Sequence, residues 1–207
     1  MGETGVFRNL RGAWEEGLDR EVFRAGVAYV ILCVMAFAAC MVLPDLRARL
    51  VEMMLDAMGG MDLTDRDGGI SAAALFFSNT RACAMIMLYG MLPFICLPAL
   101  SLGVNAMLLG ILAAWYVAEG IPIYLYFALL IPHGVFELPA LVLAFGMGLF
   151  VGGQITRRCR GDKAGRTVWS CLLLCSHLLV AVLTPMLALA ALIEAQVTPR
   201  LAALLIP

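Results

Sequence analysis

The chain has 207 residues, of which 63% are apolar and only 14% charged. Soluble domains are closer to half apolar and about a quarter charged, so an ordinary soluble enzyme is excluded and one compact membrane domain is indicated. The formal net charge of −1 includes no basic stripe, which excludes nucleic acid as a partner.

Residues 1–21 form an N-terminal segment of mixed charge, with Arg8, Arg11 and Arg20 set against Glu3, Glu15, Glu16, Asp19 and Glu21. It is unlike the short basic start of a cleaved signal. "FAAC" at Phe37–Cys40 has phenylalanine where a lipoprotein cleavage box usually carries leucine. The first apolar run, about Val22 to Leu43, is therefore expected to stay in the protein as a span.

An outer loop, 44–74, follows. In its first part Leu46, Leu50, Met54 and Met58 recur at helical spacing. Two readings fit: a helix lying on the bilayer or capping the bundle, or a methionine-rich face that docks an external partner. The segment "GGMDLTDRDGG" after it reads as a turn-rich linker.

Four more runs complete a bundle of five spans: about Leu75 to Ala99, Gly103 to Ala118, Ile121 to Gly153 and Val168 to Ala195. The fourth is too long for one straight helix across roughly 30 Å of hydrocarbon. Pro132, with Gly134 and Pro139 close by, predicts a break there and a new helix starting at Pro132. The loop 154–167 carries Arg157, Arg158, Arg160, Lys163 and Arg166. Arginine and lysine favour the cytoplasmic side, so this loop and the N-terminus are expected inside, with loop 44–74 and the tail 200–207 outside. The expected fold is an all-α polytopic bundle with a broken fourth span and an outer amphipathic helix.

Ionisable or strongly polar side chains in a span cost about 2.5 kcal/mol or more and usually face the protein interior. The candidates are Asn79, Arg81, Asn105, His133, Glu137 and Glu194, expected to meet as one buried polar cluster. His133 and Glu137 are one helical turn apart, so they share a face. Three chemistries fit the pair. One is a structural clasp between helices. Another is a metal site, for which His133, Glu137 and Glu194 are the ligands, although zinc commonly takes more protein groups. The third is a proton or substrate path. Nothing calls for a cofactor otherwise.

The seven cysteines, six of them in apolar runs, read as packing residues rather than disulfides. Ala144, Gly148 and Gly152 form a small-residue stripe suited to close helix contact or to dimerisation. No phosphate loop, nucleophile elbow or HExxH motif is present.

The segment "IPHGVFELPALVLAFGMGLFVG" resembles the signature of the stage II sporulation protein M family. There a leucine–proline–histidine–glycine start leads into a glutamate–leucine–proline helix. "FFSNTRACAMIMLYGMLP", "LGVNAMLLG" and "ALIEAQVTP" are similar to the family's other landmarks and follow in order, with Ala106 where the family commonly has glycine. The resemblance implies a membrane domain over 22–199 in the bacterial inner membrane. It implies a non-enzymatic scaffold for peptidoglycan remodelling, as in the engulfment stage of sporulation, with peptidoglycan hydrolases as outer-face partners. A homo-oligomer in contact with membrane lipids is expected. The competing expectation is a transporter, lipid-handling protein or intramembrane metalloenzyme that uses His133 and Glu137.

Overall fold

The computed structural model describes residues 5–59, 71–92, 94 and 97–205, with the side chains of 57–59 outside that set. The turn-rich linker, Met58's side chain and Cys96 lie outside the described residues. The elements are α1 (Gly5–Ala13), α2 (Asp19–Val42), α3 (Pro44–Gly59), α4 (Ala72–Tyr89), α5 (Leu97–Ala118), α6 (Ile123–Cys159), α7 (Val168–Leu178) and α8 (Thr184–Leu205). Five stretches are long and apolar enough to cross a membrane: Gly5–Val42, Ala72–Tyr89, Leu97–Ala118, Ile123–Cys159 and Val168–Leu205.

Local chemistry sets the boundaries. Ser71 caps α4 by accepting from the Ala74 amide, and Thr167 caps α7 by accepting from Ser170. Pro44 opens α3 in the first helical position, where its missing N–H costs nothing. Gly120 (φ 71°) and Gly161 (φ 89°) end α5 and α6 in the left-handed region. In each case the next amide bonds back to the carbonyl five residues earlier, Ile121 to Tyr116 and Asp162 to Arg157, closing a Schellman turn.

The central helix is α6, packed against α2, α4, α5 and α8. Phe145, Met147 and Val151 of α6 are fully enclosed, together with Met87 of α4, Leu174 of α7 and Leu187 of α8. Lipid is as apolar as leucine, so such helices associate through close packing rather than through expulsion of water. Small residues make the close packing possible. A Cβ on Gly110 would overlap the Cys33 carbonyl where α5 crosses α2. A Cβ on Gly148 would stand 2.8 Å from the Ile86 carbonyl oxygen of α4, and Gly152 faces Gly90. Gly148 and Gly152 of the stripe are thus met within the chain by α4 and the residue that ends it.

The expected break at Pro132 does not form. The helix α6 runs 37 residues, about 55 Å at 1.5 Å per residue, through both Pro132 and Pro139. Each proline removes only its own amide, leaving the carbonyls of Ala128 and Val135 without their usual donors. A helix held on several sides by neighbours tolerates that loss. Glu137 therefore sits mid-helix, not in a first turn with a positive helix end beside it. The helix α6 continues to Cys159, and α8 continues to Leu205.

Interruptions occur instead at two other places. Between α1 and α2 the chain kinks at Gly17 (φ 114°). Between α7 and α8, residues Leu179–Leu183 form a π-type turn in which the Thr184 amide and hydroxyl both bond the Leu179 carbonyl. Pro185 follows directly and cannot donate, which is a common cause of such a bulge.

Candidate functional site

The antiparallel helices α6 and α8 each carry a polar pair at i, i+4 spacing, and the two pairs face one another. On α6 they are His133 and Glu137; on α8 they are Glu194 and Thr198. One ligand atom from each of His133, Glu137 and Glu194 lies within 4.8 Å of the others, and all three residues are half-buried. Thr198 Oγ1 stands 3.5 Å from His133 Nδ1. Tyr29 of α2 and Cys83 of α4 lie near Glu137. Among the described residues no lysine or arginine pairs with either carboxylate. His133 lies ten residues into α6, about 15 Å from its start, well inside the apolar zone.

Two acids and an imidazole in this arrangement can share protons or hold a cation. Thr198 was not singled out by sequence reasoning. Its signal was the four-residue spacing from Glu194, which mirrors that of His133 and Glu137.

Arg81 and Asn105 line a groove whose walls hold none of His133, Glu137 and Glu194. Asn105 satisfies its amide locally by donating to the Ser101 carbonyl at 2.9 Å. Asn105 and the exposed Arg81 line a lateral groove of about 860 Å³ between α4 and α5, with Ser78 and Ser101 also on its wall. Asn79 is half-buried on α4, one turn before Cys83.

The helix α3 lies across α2 and α5. Val51 is buried with Cys40, Ile111 and Ala114, and Leu50 packs beside them. Arg47 donates to the Cys40 carbonyl at 3.2 Å, satisfying an end carbonyl of α2. Of the expected docking stripe, Leu50 and Met54 are half-buried and Leu46 is exposed. The apolar residues that point most strongly outward are Met53 (67% exposed) and Leu55 (58%).

A second polar assembly, missed in the sequence, gathers at the opposite end. Arg166 holds both Glu16 carboxylate oxygens and also donates to Asn9 Oδ1 at 3.2 Å. The Asn9 side-chain nitrogen is 3.2 Å from His177 Nδ1. The buried Gln154 accepts from the Arg166 amide. These contacts place α1 and the basic loop at one end of the bundle, and Phe94 joins them by donating to Thr156 Oγ1.

The architecture defines a class: a multi-pass helical membrane protein with five apolar spans and a polar triad between two of them. Within that class, the chain belongs to the stage II sporulation protein M family, whose match covers residues 21–199. No curated protein and no solved structure matches the chain.

Proposed function

We propose that this protein is a non-enzymatic membrane scaffold in cell-envelope remodelling. In this reading it receives peptidoglycan-cleaving partners at α3. Family membership supports the envelope setting, and one structural observation carries the docking role. Helix α3 is seated on the bundle by Leu50 and Val51, which leaves Met53 and Leu55 outward on a rigid base. Flexible thioethers and leucines suit an adaptable groove or helix face.

Sidedness follows from charge. Arg157, Arg158, Arg160 and Arg166 sit at the end of the bundle opposite α3. By the positive-inside tendency that end faces the cytoplasm, which puts α3 in the compartment where peptidoglycan lies. An inner-membrane location, with the N-terminus inside and the C-terminus outside, completes the assignment.

The test is affinity capture from cells that co-produce the chain with their own lytic transglycosylase and amidase. Met53→Glu combined with Leu55→Glu is expected to reduce recovery of these hydrolases at least tenfold while membrane insertion stays normal. Unchanged recovery from normally inserted variant protein refutes docking at α3.

A further inference from the structure

We propose that His133, Glu137 and Glu194 bind a divalent metal ion of the zinc class, which joins α6 to α8 inside the membrane. The donors suit the ion: one imidazole nitrogen and two carboxylate oxygens are ordinary zinc ligands. Their spacing suits it as well. Ligands about 2.1 Å from a tetrahedral centre stand roughly 3.4 Å apart, and the three atoms already lie within 4.8 Å of one another. Side-chain rotation alone can close such a gap, because His133 and Glu137 are one turn apart on the same helix.

Charge supplies the second line of support. Two carboxylates face each other in an apolar zone, with no lysine or arginine paired to them among the described residues. Charge at that depth is costly, and like charges so close oppose one another. A divalent cation balances both carboxylates at once, leaving the site neutral overall. Thr198 fills the supporting role that metal-bound histidines commonly require. Its hydroxyl lies 3.5 Å from His133 Nδ1; by accepting the proton there it would fix the tautomer whose lone pair is on Nε2. The remaining position of a tetrahedral ion is left to water. Two of the three ligands come from one helix and the third from its neighbour, so the ion bridges α6 and α8. Binding there is independent of anything docked at α3, and the two experiments fail separately.

The experiment uses the full chain, purified in detergent through a tag that contains no histidine. Elemental analysis is expected to find close to one zinc per chain. Removal with a chelator is expected to lower the melting temperature by several degrees, with recovery on adding zinc but not magnesium. Glu137→Gln and Glu194→Gln keep the side-chain shape and are each expected to weaken zinc binding at least tenfold. His177→Ala, at the far end of the bundle, is expected to bind zinc as the parent does. Should a glutamine variant fail to fold, zinc titration of the parent chain still decides. A parent chain that purifies without zinc and shows no zinc-dependent melting overturns the proposal, as does a folded Glu137→Gln/Glu194→Gln chain that retains zinc.

Discussion

Arg166 grips the carboxylate of Glu16 with two hydrogen bonds, of 2.7 and 2.9 Å, across 150 positions of sequence. The same guanidinium reaches Asn9 and Ser170, so one side chain ties the first helix, its kink and the start of α7 together. The pairing is planar and two-pronged, a geometry that lysine cannot reproduce. Glu16 is nearly half exposed while Arg166 is only 14% exposed, which limits the pair itself to about 1 kcal/mol by the measured worth of exposed ion pairs. The expected outcome is that Arg166→Lys detaches α1 without unfolding the spans. Distance measurements between spin labels at Phe7 and Val168 should broaden in the variant, and an unchanged distribution contradicts the role given to Arg166.

Gly90 and Gly148 bring the end of α4 into close backbone approach with α6. Gly90 is in ordinary right-handed backbone (φ −64°), so alanine there meets no conformational strain. The obstacle is steric, because the added methyl would overlap the Gly148 carbonyl. Overpacking of this kind costs roughly 1–3 kcal/mol, sometimes more. Gly103 in α5 has nothing within 4 Å of the same added atom, and alanine is the better helix former by up to about 1 kcal/mol. Thermal melting in detergent should therefore fall for Gly90→Ala and hold or rise for Gly103→Ala. Equal effects at both positions would show that the α4–α6 approach is looser than described.

The loop after α6 is fastened by Asp162. Its carboxylate accepts two hydrogen bonds from Arg157, at 2.8 and 2.9 Å, and one from the Ala164 amide. These partners, Arg157 first, hold its carboxyl below the usual carboxylate range. A carboxyl that is more acidic in the folded loop adds order above its unfolded value, and that order is lost as pH falls through the lowered one. Hydrogen-exchange protection at the Ala164 amide, corrected for intrinsic rates, should thus persist at neutral pH and disappear in acid. Asp162→Asn should reduce that protection several-fold at neutral pH. Protection that survives the substitution excludes Asp162 as the fastener.

Much of the bundle was legible in the chain. The apolar runs before Pro44, after Thr167 and around Asn105 lie on helices long enough to span, and the amphipathic stretch after Pro44 is a separate helix seated on the others. Proline was read too strongly at Pro132 and was overlooked at Pro185. The difference lies in surroundings: Pro132 sits in a helix braced by several neighbours, whereas Pro185 follows a turn already widened to the π pattern.

The candidate site was half legible. The i, i+4 spacing of His133 and Glu137 fixes their shared face in any helix, and the cost of charge in lipid points that face inward. Glu194 and Thr198 are some sixty residues away, and no periodicity says which crossing they will meet. Arg81 and Asn105 show the limit from the other side, since equally polar side chains line a lateral groove instead.

The membrane class, the five long apolar stretches and the cluster of arginines after α6 can be read directly from the order of residues, because hydropathy and charge act residue by residue. The packed bundle alone shows that α8 lies antiparallel beside α6 with Glu194 near Glu137, and that Gly148 of α6 meets α4 while Gly146 meets α2. Partner choice among helices depends on close fit between whole surfaces, which no single stretch of the chain contains.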